Sequence, residues 1–523
     1  MRRRSSQIAL SRREMLGLGM SAVAAACAGG RIPAASRASK ERPNILLLMG
    51  DQHRGDCIGA DGNKAIHTPN LDRIAGEGVI FRCAYSTTPT CTPARAALLT
   101  GLSPWRHGLL GYGRVGEKYP IEMPRALRDA GYYTMGIGKM HWHPQRNPHG
   151  FHRVLLDESG RVESSDFTSD YRLWFKSEAS DLNPDATGIG WNDYPAKPYA
   201  LPERLHPTRW TSDVAVNFLK NYDQSGPFFL KVSFARPHSP YDPPKRWMDK
   251  YADADLPKAV VGKWAQRYAQ RNSPKDDIWH GDLGADQVRS SRQGYYGSVS
   301  FVDEQIGRIL EMLEQRRWLD QTLIIYTSDH GDMTGDHNLW RKSYPYQQSA
   351  RIPMLMQWPS GLASAQRGQV SMAPVELRDI LPTFLEAASV PGAENMDGRS
   401  LLPLVRGKTA DWRKYIDLEH GACYSPENHW NALTDGRQKY IFFTRSGEEQ
   451  FFDLDKDPGE VYNLSSDPVY QNQVREWRGR LVNYLAERGE HFVKDGKLML
   501  RPDADIYSPN YPGCSCHPRP KTV

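Results

Sequence analysis

Short apolar runs that end in polar residues recur along the chain. The runs are NILLLMGDQ, which ends at Asp51 and Gln52; YYTMGIGKMH, which ends at Lys139 and His141; PFFLKVSFARPH, which ends at His238; and TLIIYTSDHGD, which ends at Asp329 and His330. They alternate with helical patterns such as SDVAVNFLKNY and SFVDEQIGRILEMLEQRR, so they predict buried strands of a parallel sheet with helical crossovers. Because ligands bind beyond the carboxyl ends of such strands, these polar residues should line one cleft.

The pattern changes after VELRDILPTFLEAASV, for which we predict a helix over residues 375–390. YIDLEHG, HWNALTDGRQKYIFF and EEQFFDL indicate short antiparallel strands, with Asp435 and Gly436 as a hairpin turn. QNQVREWRGRLVNYLAERG then predicts an amphipathic helix over one face of these strands. We therefore expect an α/β domain over residues 41–405, with a mostly parallel central sheet flanked by helices, and a smaller C-terminal α+β subdomain with an antiparallel sheet over residues 406–523.

The first forty residues have the features of an export signal. MRRRSSQIALSRREMLGLGMSAVAAACAGG joins a basic start and the pair Arg12 and Arg13 to a short run of Leu, Gly and Ala. Such a segment predicts passage through the twin-arginine export machinery, and a periplasmic or secreted protein. The apolar run is short for a membrane span. We favour cleavage at the small residues around Cys27 over lipid attachment to that cysteine.

Composition narrows the possible classes of protein. A chain of 523 residues with 39% hydrophobic and 24% charged residues can bury a large core, which excludes a disordered or fibrous protein. Residues 1–40 contribute +7 to the net charge, from eight basic side chains and one acidic, so the rest of the +6 chain carries −1. The basic balance therefore indicates no nucleic-acid partner. The cysteines lack zinc-finger spacing; Cys514 and Cys516 are compatible with a metal, a disulfide or a solvated tail.

The stretch CTPARAALLTG, Cys91 to Gly101, predicts a short helix. Thr92 can cap this helix, Pro93 suits its first position, and Gly101 can end it. Cys91 then lies just outside the positive end of the helix, beside Arg95, where an anion is held. A thiolate is stabilised at such a place, so Cys91 is either a nucleophile or a small buried cysteine.

The spacing Cys-x-Pro-x-Arg, followed by AALLTG, resembles the signature of the formylglycine-dependent sulfatases, in which this cysteine is oxidised to an aldehyde. GYYTMGIGKMH resembles the second signature of that family, and SDHGDMTGDHNLWRK resembles its late metal and lysine segment. The motifs follow one another in order from RPNILLLMGDQ to DKDPGEVYNL, so the resemblance covers nearly all of the chain after residue 40. It implies an alkaline-phosphatase-like fold and a formylglycine-generating enzyme as the partner that modifies Cys91.

The resemblance also implies a metal site and a set of catalytic residues. The implied metal ligands are Asp51, Gln52, Cys91 as the hydrated aldehyde, Asp329 and His330. Mostly oxygen ligands suit a hard cation, and the family implies calcium, with magnesium left open because Gln52 replaces an aspartate found in many relatives. The implied catalytic residues are Cys91 as nucleophile, Arg95 and Lys139 as anion holders, His238 with Lys342 as the proton donor to the leaving oxygen, and His141 as the base.

The substrate is indicated by analogy alone. Export, 14 Trp and 25 Tyr residues and a long polar insert over residues 163–210 suit a sulfated carbohydrate, and we expect an aryl sulfate to report activity. The candidates for a substrate pocket are His107, His337, Arg341, His429 and Trp430. Two alternatives stay open: a phosphonate monoester or phosphodiester hydrolase of the same superfamily, against which GKMH argues, and a non-catalytic glycan-binding protein, against which the intact cysteine, metal and basic residues argue.

Overall fold

The computed structural model describes residues 42–159, 161, 164–271, 279–421 and 423–513. The predicted export segment, with Cys27, lies outside the described residues, as do Cys514 and Cys516. Within the described part of the chain, none of the helices combines the length and the apolarity that a membrane crossing demands.

Sixteen strands are found in the described residues. They are β1 (Asn44–Asp51), β2 (Val79–Phe81), β3 (Ala84–Tyr85), β4 (Tyr133–Gly138), β5 (Arg153–Leu156), β6 (Phe228–Pro237), β7 (Thr322–Thr327), β8 (Met354–Gln357), β9 (Gln369–Ser371), β10 (Val375–Glu376), β11 (Ile416–His420), β12 (Trp430–Thr434), β13 (Gln438–Phe443), β14 (Glu449–Asp453), β15 (Val493–Lys494) and β16 (Lys497–Leu498).

Twelve α-helices and several single 3₁₀ turns connect these strands in the described residues. The α-helices are Pro69–Gly76, Cys91–Thr100, Pro104–His107, Met123–Asp129, Asp170–Glu178, Pro207–Asn221, Lys245–Lys250, Ala285–Gln315, Gln347–Ala350, Ile380–Ala387, Leu402–Val405 and Gln471–Ala486. The helices predicted from SDVAVNFLKNY and SFVDEQIGRILEMLEQRR are confirmed, and the second of them extends far beyond the predicted segment at its N-terminal end.

The central sheet has eight strands in the order β5-β4-β6-β1-β7-β8-β2-β9. The pairs from β5 through to β7 are parallel, whereas β8 runs antiparallel to both of its neighbours. The four apolar runs identified in the sequence are β1, β4, β6 and β7, and they form one contiguous block of parallel strands. Their carboxyl ends therefore open on one edge of the sheet, as the sequence predicts.

Both faces of the central sheet are covered, which explains why its strands are apolar without alternation. Successive residues of β1 point to opposite faces. Leu46 and Leu48 belong to a core that includes residues of the helix Ala285–Gln315, and Leu47 belongs to the opposite core, with residues of the helix Cys91–Thr100. The helix that begins at Cys91 is thereby fixed against the sheet.

The C-terminal part contains a four-stranded antiparallel sheet in the order β11-β12-β13-β14. The predicted turn at Asp435 and Gly436 joins β12 to β13, with φ of 87° at the glycine, and the predicted helix is present over Gln471–Ala486. This helix packs on one face of the sheet through residues such as Trp477. The other face packs against Met333, Leu339, Tyr344 and neighbouring side chains of the preceding α/β part.

Two local predictions are wrong. The segment 375–390 does not begin as a helix, because Val375 pairs with Ala84 in a short parallel ladder and Glu376 and Asp379 cap each other's backbone N–H. The α-helix starts only after this cap and spans Ile380–Ala387.

The helix of the cysteine motif starts earlier than predicted. Cys91 is its first residue and not a residue outside its end, since the chain is extended at Thr90 and helical from Cys91 onward. Thr92 is therefore inside the helix and does not cap it, and its hydroxyl finds no hydrogen-bond partner among the described residues. Gly101 ends the helix as predicted, with φ of 69°.

Candidate active site

Polar residues from four strand ends and one helix start meet at the carboxyl edge of the parallel block. The strands supply Asp51 as the last residue of β1 and Gln52 directly after it, Lys139 and His141 after β4, His238 after β6, and Asp329 and His330 after β7. The helix Cys91–Thr100 supplies Cys91 and Arg95, and the segment between β7 and β8 supplies Lys342. All of these side chains are buried. A cluster of charged groups in the interior requires mutual compensation.

Arg95 holds the two carboxylates of the cluster. Its Nε lies 2.9 Å from Oδ2 of Asp329 and its Nη2 lies 2.9 Å from Oδ2 of Asp51. Its Nη1 donates to the carbonyl of Lys139 at 2.6 Å and to Oγ of Ser233 at 3.2 Å. Because these bonds use most of its donors, Arg95 orients the carboxylates one helical turn away from Cys91.

Lys139 adds a second positive charge to the carboxylate of Asp51. Its Nζ is 2.6 Å from Oδ2 of Asp51. Burial and the carboxylate of Asp329 tend to raise the pKa of Asp51, but the charges of Lys139 and Arg95 outweigh them and hold this pKa below its usual value. The pKa of Asp329 is likewise lowered, since Arg95 and other positive neighbours outweigh its burial. Both carboxylates are therefore ionised at neutral pH.

His238 and Lys342 form a hydrogen-bonded pair. Nδ1 of His238 is 2.7 Å from the carbonyl oxygen of Ser239, which can only accept, so this nitrogen carries the ring proton. Nε2 then accepts from Nζ of Lys342 at 2.7 Å. Burial, followed by the charges of Lys342 and Lys139, lowers the pKa of His238 well below its usual value. The exchangeable proton of the pair is thus held on Lys342.

Gln52 lies beside this pair. Its side-chain oxygen accepts from Nζ of Lys342 at 2.9 Å, and its side-chain nitrogen donates to Asp332. Its backbone N–H donates to Oδ1 of Asp329 at 3.1 Å, with φ of 67° at Gln52. The structure therefore directs the amide oxygen toward Lys342, and the role of Gln52 as a metal ligand stays a prediction.

His141 is neutral and has a free ring nitrogen. Its backbone N–H donates to Glu158 at 2.9 Å, which fixes a residue with φ of 58°. Nε2 is 3.5 Å from the hydroxyl of Tyr112, while Nδ1 has no hydrogen-bond partner among the described residues. Burial, together with the charges of Arg161 and Lys139, lowers the pKa of His141 well below its usual value. A neutral imidazole with an open nitrogen can accept a proton.

The thiol of Cys91 lies in the middle of the cluster. Its Sγ is 3.1 Å from Nε2 of His330, whose Nδ1 bonds the carbonyl of Gly331 at 2.9 Å. That carbonyl contact places a proton on Nδ1, so Nε2 is the ring nitrogen that faces Cys91. Burial of His330 opposes its protonation, but the charges of Asp329 and Cys91 outweigh burial and raise its pKa. Burial raises the pKa of the thiol, but the charges of Lys342 and Lys139 outweigh burial, so the pKa of Cys91 is lowered.

Four residues of the cluster are arranged as a cation site. One ligand atom from each of Asp51, Cys91, Asp329 and His330 lies within 4.8 Å of all the others. Oδ1 of Asp51 is buried with no hydrogen-bond partner among the described residues, so it points an unused lone pair into this space. Two carboxylates and an imidazole are suitable ligands for a divalent cation.

The five candidates for a substrate pocket are spread over the molecule. The histidines are packed inside: His107 accepts from the backbone of Leu109, His337 packs on the ring of Trp264, and His429 is buried beside Thr444. Trp430 is buried on β12, and its Nε1 lies 3.2 Å from the carbonyl of Ser343. Arg341 immediately precedes Lys342. Its Nη2 donates to the carbonyl of Asn192, the residue after Trp191 in the insert. For all five, a role in substrate binding stays a prediction.

Three residues near the reacting groups escaped sequence reasoning. Trp191 stacks on His238 with ring centroids 3.9 Å apart and also lies under Nζ of Lys139 at 4.7 Å. Asp332 receives the amide of Gln52 and the hydroxyl of Tyr241, and Tyr112 contacts His141. Asp332 could have been found as the second acidic residue of SDHGD, whereas nothing in the sequence distinguishes Trp191 from the other tryptophans of the insert.

Comparison with known proteins agrees with this geometry. The model of the sulfatase family matches residues 43–390, and the model described as N-sulphoglucosamine sulphohydrolase, C-terminal, matches residues 335–487. An arylsulfatase of Clostridium perfringens is 40% identical over 475 residues, which cover 88% of this chain and 97% of that protein. An N-acetylglucosamine-6-O-sulfatase of Bacteroides thetaiotaomicron is 29% identical over 502 residues, covering 83% and 85%.

A solved structure gives the same fold. The phosphonate monoester hydrolase of Agrobacterium radiobacter superposes with a TM-score of 0.71 and 25% identity, covering 86% of this chain and 96% of that one. The parallel sheet and the strand-end cluster thus define a hydrolase of the alkaline-phosphatase-like class. Within that class the chain belongs to the sulfatase family, and it is a sulfuric ester hydrolase.

Proposed function

We propose that this enzyme hydrolyses a sulfate monoester on a carbohydrate to an alcohol and inorganic sulfate, with aryl sulfates as accepted substrates, through a formylglycine made from Cys91 by a formylglycine-generating enzyme. The position of Cys91 is the observation that carries the proposal. This residue begins a buried helix and places its side chain between His330 and the carboxylates of Asp51 and Asp329. The arylsulfatase and N-acetylglucosamine-6-O-sulfatase relatives support the substrate class.

Hydrolysis of a sulfate ester needs a nucleophile, charge neutralisation and a proton for the leaving oxygen. The hydrated aldehyde would supply two hydroxyls, one as the nucleophile toward sulfur and one whose deprotonation lets sulfate leave. A cation held by Asp51, Asp329 and His330 would supply positive charge. Lys342 holds the proton for the leaving oxygen at its 2.7 Å contact with His238. We assign this pair to the leaving oxygen, because it is the one protonated donor beside a neutral imidazole at the described site.

The remaining residues prepare the site for the second half of the reaction. His141, neutral and open at Nδ1, takes the proton of the second hydroxyl. Arg95 keeps Asp51 and Asp329 ionised and in place. Lys139, at Asp51 and over Trp191, neutralises negative charge where the sulfate enters. Each group thus acts in the protonation state that its surroundings impose.

The cation that these residues would hold is calcium in our proposal. Its ligands would be Asp51, Asp329, His330 and residue 91. Gln52, which follows Asp51 in the chain, would add an amide oxygen. We expect a chelator to abolish activity, and calcium to restore it better than magnesium, because calcium accepts larger and less regular coordination shells. Restoration by magnesium alone would contradict the assignment.

The proposal is tested by product analysis with matched cysteine variants. Protein from a host that supplies the maturation enzyme should release nitrophenol and sulfate in equal amounts from para-nitrophenyl sulfate. Cys91→Ala should abolish this activity, whereas Cys57→Ala, which changes another buried cysteine, should retain it. Sulfate release by Cys91→Ala at the wild-type rate would contradict the proposal.

A second candidate function is hydrolysis of phosphonate monoesters or phosphodiesters. The observation that favours it is the structural match to the phosphonate monoester hydrolase, together with the aspartate-glutamine pair Asp51 and Gln52. Lys139 and His141 in GKMH argue for the sulfatase. Comparing kcat/KM for para-nitrophenyl sulfate with that for para-nitrophenyl phenylphosphonate decides between them: a higher value for the phosphonate would favour the second function.

We also propose that residues 1–40 direct twin-arginine export to the periplasm or beyond. Because that route carries folded protein, an oxidation of Cys91 that requires the unfolded chain would precede export. A chain that starts at residue 41 should then stay inside the cell with Cys91 converted. An unconverted Cys91 in that protein would contradict this order of events.

A further inference from the structure

Arg341 differs from the other buried arginines in its charge environment. Eight arginines are buried among the described residues: Arg54, Arg95, Arg236, Arg292, Arg341, Arg378, Arg488 and Arg501. Seven of them have a carboxylate oxygen within 3.5 Å. For Arg341, no carboxylate in the described part of the chain forms such a pair. A buried charge without a counter-charge is costly, so this position is suited to an anionic ligand.

The guanidinium of Arg341 keeps unused donors. Its Nη2 donates to the backbone carbonyl of Asn192 at 2.9 Å, whereas its Nε is buried with no hydrogen-bond partner among the described residues. The rings of Tyr424 and Tyr194 flank it, with centroids 5.3 and 5.9 Å from Cζ. The hydroxyl of Tyr194 is also buried, and it lies beside the guanidinium of Arg341. A positive charge and hydrogen-bond donors are therefore available together at the guanidinium of Arg341.

This place adjoins the side of the active site where the alcohol leaves. Arg341 precedes Lys342, whose Nζ contacts His238. Its partner Asn192 follows Trp191, whose ring stacks on His238. The guanidinium of Arg341 is thus connected to the proton-donating pair in two ways. One connection is the segment of Trp191 and Asn192, and the other is the peptide bond between Arg341 and Lys342. A group on the leaving alcohol, beyond the oxygen that His238 and Lys342 protonate, would meet Arg341.

We propose that Arg341, assisted by the hydroxyl of Tyr194, binds a second anionic group on the alcohol part of the substrate. This inference rests on the proposed sulfatase function and narrows its substrate class to sulfate esters with a further carboxylate or sulfate. The planar fork of arginine suits the paired oxygens of either group. The group supplies the counter-charge that none of the described carboxylates gives to Arg341, so it contributes to selectivity and not to the reacting bond.

Two substrate pairs and the variant Arg341→Gln test the proposal. One pair is meta-carboxyphenyl sulfate and its neutral analogue meta-carbamoylphenyl sulfate; the other is resorcinol disulfate and resorcinol monosulfate. For at least one pair, Arg341→Gln should lower kcat/KM of the doubly anionic member by about 30-fold or more, as for loss of a desolvated charge partner. The singly charged member should change by less than about threefold. The substrate pair that responds shows whether Arg341 binds a carboxylate or a sulfate. An equal loss of kcat/KM for the two members of each pair overturns the proposal.

Controls separate this role from a structural one. Arg437→Gln removes an exposed arginine from the C-terminal hairpin. It should leave kcat/KM for all members of both substrate pairs unchanged. Arg341→Lys keeps the charge and should recover part of the selectivity. If Arg341→Gln does not fold, the wild type decides: it must prefer the doubly anionic members, and added salt must weaken that preference. Absence of this preference overturns the proposal, whereas failure of the wild type to cleave any sulfate ester overturns the proposed function beneath it.

Discussion

At the scale of single residues, the proton for the leaving oxygen is placed by one contact. The carbonyl of Ser239 fixes the tautomer of His238, and this tautomer makes Nε2 an acceptor for Lys342. Burial and two lysine charges keep the imidazole neutral. Lys342 therefore holds the proton, and His238 orients the ammonium group of Lys342. Proton donation to the leaving oxygen requires both residues.

The first prediction concerns Lys342→Ala. For a sulfated sugar, whose alkoxide is a poor leaving group, kcat/KM should fall by about 10²- to 10⁴-fold, the usual contribution of general acid catalysis. For para-nitrophenyl sulfate the fall should be much smaller, because nitrophenolate leaves without a proton. The ratio of the two losses is the measurement, and equal losses for the two substrates would rule out proton donation by this pair.

At the scale of structural elements, the site depends on a close approach between β4 and β6. Gly138, the last residue of β4, has φ of 90°, and a Cβ there would lie 2.1 Å from the carbonyl oxygen of Ser233. The residue after this glycine is Lys139, and the backbone N–H of Lys139 bonds the same carbonyl at 2.8 Å. The absence of a side chain thus lets the strand end deliver Lys139 to the cluster.

The second prediction compares two glycines with nearly the same φ. Gly131 has φ of 94° and open space where a Cβ would lie. Gly131→Ala should cost about 1 kcal/mol of unfolding free energy from the left-handed conformation alone. Gly138→Ala should cost at least about 2 kcal/mol more, because of the clash with Ser233, and should lower activity. Denaturant unfolding of both variants measures the difference; similar losses would show that the close approach is unimportant.

The insert between β5 and β6 supplies a second element of the site. Its Trp191 covers His238 and lies under Lys139. Because the ring shields the imidazole from water, it contributes to the burial that lowers the pKa of His238. Trp174, in the helix Asp170–Glu178 of the same insert, packs instead beside Trp210.

The third prediction follows from this shielding. Trp191→Ala should lower kcat/KM up to about tenfold, as for loss of one aromatic contact. It should also move the limb of the pH–rate profile that His238 governs to higher pH, since water stabilises the charged ring. Trp174→Ala should change neither quantity. An unaltered pH profile in Trp191→Ala would contradict the role given to the tryptophan.

The strands and their polar ends could be predicted from the sequence, because a strand that is buried on both faces is a continuous apolar run. The first polar residues after the run mark the end of the strand. Asp51, His238 and Asp329 were placed together on that ground. The position of Trp191 could not be predicted, since it depends on an irregular loop in which Asn192 has φ of 78°. The start of the helix at Cys91 was misplaced because Thr92 matches a cap in sequence, while Thr90 is extended in the structure.

At the scale of the whole molecule, the C-terminal sheet supports the catalytic groups. Trp430 on β12 donates to the carbonyl of Ser343 at 3.2 Å, and Ser343 adjoins Lys342. The hydroxyl of Ser343 also contacts Thr90, which precedes Cys91. The sheet therefore joins the segment of the proton donor to the start of the nucleophile helix.

The fourth prediction concerns acid stability. Burial, the first cause in each case, lowers the pKa to about 3 for His107, His420 and His429 and to about 4 for His337. Each folded pKa lies below the unfolded value, so stability is full above pH of about 6.5 and is lost as the pH falls toward 4. Each histidine costs about 2 kcal/mol of unfolding free energy by pH of about 5.

Urea unfolding across this pH range measures the loss. His107→Gln should remove about one of the protons taken up on unfolding near pH 5.5. His491→Gln, which changes a histidine with 62% of its side chain exposed, should leave the pH dependence as it is. Stability that rises as the pH falls from 7 to 5 would contradict the neutral burial of these histidines.

The central claim, that residue 91 acts as an aldehyde hydrate, is tested most directly by the mass of the tryptic peptide from Cys83 to Arg95. The peptide should come from active protein made in a host that supplies the maturation enzyme. We predict a peptide lighter than the cysteine form, because the CH₂SH group has become CHO, and labelled by an aldehyde reagent. An intact thiol at Cys91 in protein that hydrolyses sulfate esters would contradict the account and leave an ordinary cysteine nucleophile in its place.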